Sequence, residues 1–460
     1  MRPVGIRQKS APAEQPGESR GGKRPNPSPD TFLCVADMLT NWAGNVTFSA
    51  REICKPASVD ELRALVAGRR HIRAIGTGHS FNDIADTAHT LVSVARLPVE
   101  VELDRERSTA TVSAGLRYGE LATRLHASGY ALGNLGSLPH ISVAGACATG
   151  THGSGQANGS LSSAVRGIEM VTADGDVVTL RRDIDEAFPG AVVALGRLGI
   201  VTKVTLDVVA TFDVRQHVYD NLPADQLDEH FDEIVGAAYS VSLFTGWQGR
   251  GIDQVWLKEK IGDKIGADAV RAMPARWMGA TLADGPRHPL PGMPAANCTR
   301  QLGEAGPWHE RLPHFRLDFV PSSGDELQSE YLLPRENALA AIDALREVEH
   351  RIAAVLRVSE IRTVAADDLW LSPAYGRDTI AFHFTWMKDA AAVLPVLTAI
   401  EERLDPFGAR PHWGKLFTTD PAALRHRYSR YADFESLVRR YDPAGKFGNA
   451  FTERLFPNTR

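Results

Sequence analysis

The chain has 460 residues, of which 43% are hydrophobic and 23% are charged, as is ordinary for a globular protein of two or three domains. Its 51 basic and 56 acidic residues give a net charge of −5. This balance argues against nucleic acid and a membrane surface as partners. No apolar run reaches the roughly 20 residues of a membrane-spanning helix. We therefore expect a monomer that binds small molecules.

Four cysteines are scattered along the chain without a CxxC pair: Cys34, Cys54, Cys147 and Cys298. This spacing argues against a disulfide framework or a zinc knuckle and favours a reducing, cytoplasmic compartment. Residues 1–37 are basic and rich in proline and glycine, and they lack the apolar segment of a secretory signal. We expect them to form a disordered tail.

Residues 41–211 predict one α+β unit. Ser58 and Glu61 have the spacing of a helix N-cap before an apolar stripe. A short strand is predicted from residue 72 to residue 75. The pair Asp174-Gly175 joins two alternating runs, 168–172 and 177–180, which indicates a β-hairpin.

The second half predicts the order β-α-β-β-α-β, with the elements at 327–333, 336–350, 355–364, 378–387, 389–403 and 412–418. That order is typical of a ferredoxin-like antiparallel sheet covered by helices on one face. Residues 265–310 are rich in Pro, Gly and Ala, and they predict a long irregular excursion.

Two glycine-rich stretches, 76–81 and 142–155, dominate the first half. Small residues let backbone N–H groups approach an anion, and two such loops in one domain suit a pyrophosphate. Each loop on its own is also compatible with a simple tight turn. Phe81 stands where a dinucleotide fingerprint has its third glycine, and no GxxxxGK[ST] motif is present. The stretch from His309 to His314 has the wrong spacing for HExxH, so we expect no metal site.

Polar residues alternate with apolar ones on two strands of the second half. His383 and Thr385 share one strand face, Glu360 and Arg362 share another, and His412 and Lys415 fall on the next predicted strand. An outer sheet face of this kind is commonly solvated, and it can equally line a site.

Several motifs resemble the vanillyl-alcohol-oxidase (PCMH-type) family of covalent flavoproteins, and within it the oxidases of polyols and sugar lactones. The similarity extends from about residue 41 to residue 452, and its motifs lie at 41–45, 78–80, 137–145, 150–155, 307–316, 359–365, 383–386, 412–415 and 442–447. It implies a two-subdomain FAD-binding domain at 41–211. It also implies a substrate (cap) domain at 212–452, whose C-terminal segment returns to the flavin.

The resemblance further implies covalent attachment of FAD through His79, although a lone histidine is more commonly structural. The other positions implied to contact the cofactor are Ala74, Ile75, Gly76, Thr77, Gly78, Ser80, Ser137, Ser142, Gly145, Thr149, Gly150, Thr151, His152, Ile200 and His412. Gly136 matches a position where a small residue leaves a path for dioxygen, which favours an oxidase. A glycine there would also serve a positive φ angle.

In the implied substrate pocket, Arg362 and Lys415 stabilise a developing alkoxide. Ser137, Glu360 and Thr385 hold hydroxyl groups and aim the reacting carbon. His383 orients Glu360 or receives the proton, and Lys415 with a lowered pKa would serve equally well as the base. The expected reaction converts the terminal alcohol of a polyol to an aldehyde and reduces dioxygen to hydrogen peroxide. The alternative is a sugar-1,4-lactone oxidase or dehydrogenase.

Overall fold

Separate small sheets build the first half of the chain. The computed structural model describes residues 34–35, 39–262, 273–319 and 324–459. In chain order the strands are β1 (Cys34–Val35), β2 (Glu52–Cys54), β3 (Ile72–Ala74), β4 (Thr90–Val92), β5 (Val101–Asp104), β6 (Thr109–Ser113), β7 (Tyr130–Ala131), β8 (Val165–Val171), β9 (Val177–Arg181), β10 (Ile200–Asp207) and β11 (Val209–Ala210). The helices are α1 (Val59–Gly68), α2 (Tyr118–Ala127), α3 (Val143–Ala148) and α4 (Phe188–Val192).

The first sheet has the order β1-β2-β4-β3, and β4 pairs in parallel with both β2 and β3. The second sheet is antiparallel with the order β5-β6-β10-β8-β9, and β7 and β11 form a separate pair. These sheets agree with the predicted two-part α+β organisation. A boundary at residues 211 and 212 stays a prediction.

Local sequence signals are confirmed in this half. Ser58 is the N-cap of α1, and its Oγ accepts a hydrogen bond from Glu61 N at 3.1 Å. The predicted hairpin joins β8 to β9, with Val171 paired to Val177. Gly175 has φ +83° in its turn, a left-handed conformation that favours glycine.

The N-terminal segment departs from the prediction. Cys34 in β1 forms a disulfide with Cys54 in β2. The expectation that no disulfide links the cysteines is therefore wrong for this pair, because β-pairing brings together residues 20 positions apart. The predicted disorder of residues 1–37 is wrong for 34–35, and the remainder of that tail lies outside the described residues.

One large sheet forms the second half. Its strands are β12 (Asp213–Leu222), β13 (Ser240–Thr245), β14 (Ile252–Ile261), β15 (Arg276–Trp277), β16 (Ala280–Leu282), β17 (Gly306–Pro307), β18 (Leu327–Pro334), β19 (Leu356–Val364), β20 (Thr379–Trp386) and β21 (Arg410–Pro411). The helices are α5 (Ala224–Val235), α6 (Ala338–Arg346), α7 (Glu349–Val355), α8 (Ala390–Leu404), α9 (Pro421–Arg427), α10 (Tyr431–Tyr441) and α11 (Ala450–Leu455). The sheet order is β15-β16-β12-β14-β13-β19-β20-β18-β21, with β17 beside β12.

The ferredoxin-like unit is confirmed in the run β18-α6-α7-β19-β20-α8-β21, whose strands lie in the order β19-β20-β18-β21. The predicted helix 336–350 is two helices, α6 and α7. The predicted strand 412–418 is wrong: the last strand is only β21, and His412 to Lys415 form a turn closed by a hydrogen bond from Lys415 N to His412 O at 3.0 Å. The described part of the excursion 265–310 is mostly irregular, as predicted.

The two faces of the large sheet have opposite characters. Apolar side chains such as Leu243, Ile361 and Phe382 pack against helices α5 to α8. Alternate residues of the same strands are polar and point away from those helices. This second face is buried as well, since Glu360, Arg362, His383 and Thr385 are all buried, so the solvated interpretation does not hold.

The end of the chain returns to the first half. Ile72 N in β3 donates to Lys446 O at 3.0 Å, and the buried Arg73 donates to Phe447 O at 2.6 Å. The longest helix among the described residues, α8, has 15 residues. None of the described helices combines the length and apolarity of a membrane span.

Candidate active site

A cavity of about 1000 Å³ is lined by the glycine loops of the first half and by the polar sheet face of the second half. Its size lies at the upper end of the roughly 300–1,000 Å³ that is usual for ligand pockets. Most of the predicted site residues line it: Ala74, Ile75, Gly76, Thr77, Gly78, His79, Ser80, Gly136, Ser137, Ser142, Gly145, Thr149, Thr151, His152, Glu360, Arg362, His383, Thr385, His412 and Lys415. Gly150 and Ile200 are not among the lining residues.

The two glycine loops meet each other at the wall of the cavity. A Cβ atom added to Gly76 would lie 2.3 Å from Ser142 Oγ, and one added to Gly145 would lie 2.7 Å from the same atom. Ser142 N also donates to Thr77 Oγ1 at 3.3 Å. These positions exclude larger side chains, so the backbone itself forms the wall. A close backbone wall with hydroxyl donors fits a dinucleotide cofactor with a pyrophosphate.

Gly150 and Ile200 have structural roles beside the cavity. Gly150 follows α3 with φ +69°, and its N–H donates to Cys147 O at 3.3 Å, as expected of a glycine that ends a helix. Ile200 is buried in an apolar cluster with α1 residues such as Leu65. Its neighbour in the chain, Val201, lines the cavity instead.

His79 lies in the first glycine loop with its ring stacked on Trp42. Its Nδ1 is 2.9 Å from Thr77 Oγ1. Burial lowers the pKa of His79 to about 4, with the nearby His140 and Arg117 adding to the effect. The imidazole is therefore neutral at neutral pH and has a lone pair available on one nitrogen.

Hydrogen bonds tie the first glycine loop to the turn after β21. Phe81 N donates to Gly414 O at 2.8 Å. The Asn82 amide donates to Trp413 O at 2.9 Å and to Lys415 O at 2.8 Å. The position of Lys415 is thereby fixed relative to His79, although the two residues are far apart in sequence.

Glu330 on β18 connects the two predicted cations. Arg362 Nη2 donates to Glu330 Oε1 at 2.6 Å, and Lys415 Nζ donates to Glu330 Oε2 at 2.7 Å. His152 Nε2 lies 3.3 Å from Glu330 Oε1. Burial raises the pKa of this carboxyl, but Lys415, His152 and Arg362 outweigh it, and the pKa lies well below its usual range. Glu330 is therefore the shared counterion of Arg362 and Lys415.

His383 joins Lys415 to Thr385. Its Nδ1 lies 2.8 Å from Lys415 Nζ, and its Nε2 lies 3.1 Å from Thr385 Oγ1. Burial and the charge of Lys415 lower the pKa of His383 well below its usual value, so the ring is neutral. Because Lys415 donates to Nδ1, the ring proton is on Nε2 and faces the threonine hydroxyl. Among the described residues, the His383 side chain makes these two contacts and no side-chain hydrogen bond to Glu360.

The other polar groups are arranged around these residues. Arg362 Nη1 donates to Ser137 Oγ at 3.2 Å, and its buried Nε makes no hydrogen bond within the described residues. Burial lowers the pKa of Lys415, which the Glu330 carboxylate partly offsets and the Arg362 charge reinforces. Burial also lowers the pKa of His412 to about 3, and its Nε2 lies 3.3 Å from Thr151 Oγ1.

Glu330, His314 and Lys258 were missed by the sequence reasoning. Glu330 pairs with His383 across β18 and β20, so a carboxylate within the predicted strand 327–333 was the available signal. His314 Nε2 lies 2.8 Å from Glu360 Oε1. It falls within the motif 307–316 and is rejected from its spacing as a metal ligand with His309, whose ring contacts His126.

Gly136 does not need a left-handed backbone, since it is not among the positive-φ glycines of the described residues. A Cβ atom added there would meet neighbours only at 3.7–3.9 Å, which is ordinary contact. The glycine therefore leaves open a volume that a methyl group would fill.

The fold and the cavity have matches among known proteins. A family model described as FAD binding domain matches residues 50–181, and one described as D-arabinono-1,4-lactone oxidase matches residues 325–455. The solved structure of cholesterol oxidase from B. sterolicum shares the fold, with a TM-score of 0.75 at 16% identity over 94% of this chain and 100% of that one. The two family models, together with the alditol oxidase relative described next, place the chain among FAD-binding flavoproteins of the vanillyl-alcohol-oxidase (PCMH) type.

Relatives within that class are closer. Alditol oxidase of Streptomyces sp. (strain IKD472 / FERM P-14339) is 52% identical over 92% of this chain and 99% of its own length. L-gulono-1,4-lactone dehydrogenase of Mycobacterium tuberculosis (strain H37Rv) is 29% identical over 92% of this chain and 99% of its own length. The chain belongs to the alditol oxidase family.

Proposed function

We propose that this chain is an FAD-dependent alditol oxidase that converts the terminal primary alcohol of a polyol, such as xylitol or sorbitol, to the aldehyde. Dioxygen is the electron acceptor and becomes hydrogen peroxide. The observation that carries the proposal is the cluster of the buried Glu360, Arg362, His383 and Thr385 with the half-buried Lys415, which shares one cavity with the His79 loop. The 52% identity to an alditol oxidase supports the same substrate class.

The glycine loops 74–80 and 142–152, together with Ser137 and His412, would hold the cofactor in this proposal. FAD, when bound, supplies the acceptor of the hydride that leaves the alcohol carbon. Covalent attachment through His79 is part of the proposal. It is supported by the neutral imidazole, because only an unprotonated nitrogen has the lone pair that a new bond to carbon requires.

Lys415 takes the proton of the reacting hydroxyl. The described residues provide two partners for its Nζ, Glu330 Oε2 and His383 Nδ1, so a neutral amine would donate both protons there and keep its lone pair for the substrate. Burial lowers the pKa of this lysine, which makes the neutral amine accessible. His383 is the weaker candidate, since both its nitrogens face protein partners.

Arg362 stabilises the negative charge that develops on the same oxygen, because its buried guanidinium has an uncommitted Nε donor. The Ser137 and Thr385 hydroxyls and the Glu360 carboxylate hold the remaining substrate hydroxyls. A polyol presents a hydroxyl on every carbon, so several fixed polar groups can aim its terminal carbon.

Gly136 leaves the path for dioxygen in this proposal. The Gly136→Ala variant adds a methyl group without backbone strain. We expect slower reoxidation by dioxygen and unchanged flavin reduction by the polyol, measured separately by stopped-flow absorbance. A Gly133→Ala variant is the control, because a Cβ atom there meets nothing within 4 Å. Equal reoxidation rates in all three proteins would contradict this role.

A sugar-1,4-lactone oxidase or dehydrogenase is the second candidate, and the match of residues 325–455 to a lactone oxidase model favours it. The purified protein is assayed for hydrogen peroxide with xylitol, sorbitol and glycerol and, in parallel, with gulonolactone and galactonolactone. We expect turnover of the polyols. Turnover of the lactones alone would replace the first proposal by the second.

The cofactor linkage is tested by acid precipitation and peptide mapping. We expect a yellow peptide that contains residues 71–83. Release of all flavin into the supernatant contradicts the covalent linkage. A monomeric, cytoplasmic protein also remains our proposal, although the Cys34–Cys54 disulfide opposes the reducing compartment. Native mass and the thiol count of freshly isolated protein test both points.

A further inference from the structure

A second polar chain lies behind the substrate cavity. Lys258 on β14 is 1% exposed and does not line the cavity. Its Nζ donates to Leu312 O and to Pro313 O, the latter at 3.2 Å, and lies 3.1 Å from His314 Nδ1. His314 Nε2 in turn lies 2.8 Å from Glu360 Oε1. The chain therefore runs from a buried lysine to the carboxylate that we assign to substrate binding.

The protons of this chain have one consistent arrangement. An ammonium group has three donors and no acceptor, and Lys258 has three acceptors around it. His314 Nδ1 therefore accepts, and the ring proton lies on Nε2 and is donated to Glu360 Oε1. Burial lowers the pKa of Lys258 to about 7. Burial and the charge of Lys258 lower the pKa of His314 to about 4. The lysine therefore holds the proton in preference to the histidine.

The histidine ring has little freedom to turn. Phe244 and Trp256 pack edge-on against it, with ring centroids at 5.6 and 5.2 Å. Its backbone N–H donates to Ser137 O at 3.1 Å, which fixes the segment to the other wall of the cavity. Because the His314 ring is held in one orientation, its contact with Lys258 also fixes its contact with Glu360.

The consequence concerns the two carboxylate oxygens of Glu360. Oε1 is taken by His314, whereas Oε2 accepts no hydrogen bond within the described residues and lies 3.6 Å from Arg362 Nε. We propose that Lys258 is a positioning residue that, through the tautomer of His314, holds Glu360 with Oε2 directed to a hydroxyl of the polyol distal to the reacting carbon. This inference rests on the proposed function, because it assigns that carboxylate to a polyol.

The test compares substrates with and without distal hydroxyls. Anaerobic stopped-flow reduction of the holoenzyme is measured with xylitol and with ethylene glycol, which has no hydroxyl beyond its second carbon. We expect K258M to weaken the apparent affinity for xylitol by about 10- to 100-fold, as for loss of one charge-assisted hydrogen bond. The apparent affinity for ethylene glycol should change much less. H314F should lose xylitol affinity, because it has no donor for Glu360. H314Q keeps an N–H toward Glu360 and should retain the greater part of that affinity.

Thr299→Val is the matched control. Thr299 Oγ1 donates to Pro313 O at 2.8 Å and, at 3.4 Å, to the backbone O of His314, so it supports the same loop as Lys258 without touching the imidazole ring. Equal losses for both substrates in K258M, or the same xylitol defect in T299V, would overturn the proposal and leave Lys258 a loop support only.

A second measurement is independent of catalysis. ¹⁵N NMR of histidine-labelled protein, with H314Q to assign the signal, reports which ring nitrogen of His314 carries the proton. We expect protonated Nε2 in the parent protein and, in K258M, a shift of the unprotonated Nδ1 signal toward that of a nitrogen with no donor beside it. Protonated Nδ1 in the parent protein would overturn the proposal. If none of the polyols reduced the flavin of the parent protein, the proposed function would fail. The NMR measurement would still test the contact between Lys258 and His314.

Discussion

The first half of the chain lines the cavity with two loops that are each continuous in sequence, whereas the second half supplies single side chains from β18, β19, β20 and the turn after β21. In the first half the backbone approaches closely because side chains are absent, as at Gly76 and Gly145. In the second half charged side chains are brought together by strand register and then neutralise one another, as Glu330 does for Arg362 and Lys415.

This difference separates two kinds of recognition. A backbone wall with hydroxyl donors suits a cofactor that is the same in every turnover. A set of paired side chains can be altered residue by residue, which suits the choice of substrate. Substitutions of these paired side chains should therefore change chemistry and substrate affinity, and substitutions of the glycines in the two loops should change flavin content.

Lys415→Met should have the largest effect. If Lys415 is the base, flavin reduction by xylitol slows by about 10²–10⁴-fold. In the parent protein the reduction rate should rise with pH through the lowered lysine pKa, because the neutral amine is the active form, and this rise should vanish in K415M. Lys203→Met, which loses only a pairing with Glu100 on the other sheet, is the control. An unchanged pH profile in K415M would assign the base elsewhere.

Glu330→Gln should come next, because it leaves the buried Arg362 and the half-buried Lys415 without their shared counterion. Breaking a buried pair costs about 3–5 kcal/mol, so we expect a lower free energy of unfolding together with weaker xylitol oxidation. Glu347→Gln is the matched control, since it breaks an exposed pair with Arg403 at a cost of no more than about 1 kcal/mol. Equal stability of the two variants would show that Glu330 is not the shared counterion.

Gly76→Ala tests the backbone wall of the first half. The added Cβ would lie 2.3 Å from Ser142 Oγ, and overpacking of this kind costs about 1–3 kcal/mol. We expect purified protein with reduced flavin content, measured from its visible absorbance. The double variant G76A/S142A removes the opposing hydroxyl and should recover part of the flavin. No recovery would mean that the Cβ obstructs the cofactor directly.

The same contrast explains what the sequence made predictable. Loop 76–80 and the Ser58 N-cap are local patterns, and both appear in the structure where they were predicted. Glu330 and Lys258 escaped prediction because their roles depend on partners that are distant in sequence, which no local spacing reveals. The predicted strand 412–418 is wrong because the chain turns at His412 to Lys415 and contacts the first glycine loop there, through Phe81 N and Gly414 O.

The smallest predicted effects, on thermal stability, test whether the two halves of the chain unfold together. Ser58→Ala removes the cap of α1 in the first half, and Asp389→Ala removes the cap of α8 in the second, where Asp389 Oδ1 accepts from Ala392 N at 3.1 Å. Each loss costs about 1 kcal/mol. Calorimetry on holoprotein should show both variants lowering the same transition, because hydrogen bonds from Phe81 and Asn82 join the halves at the cavity. Two transitions, each sensitive to only one cap, would instead mean that these contacts are too weak to couple the flavin loops to the substrate sheet.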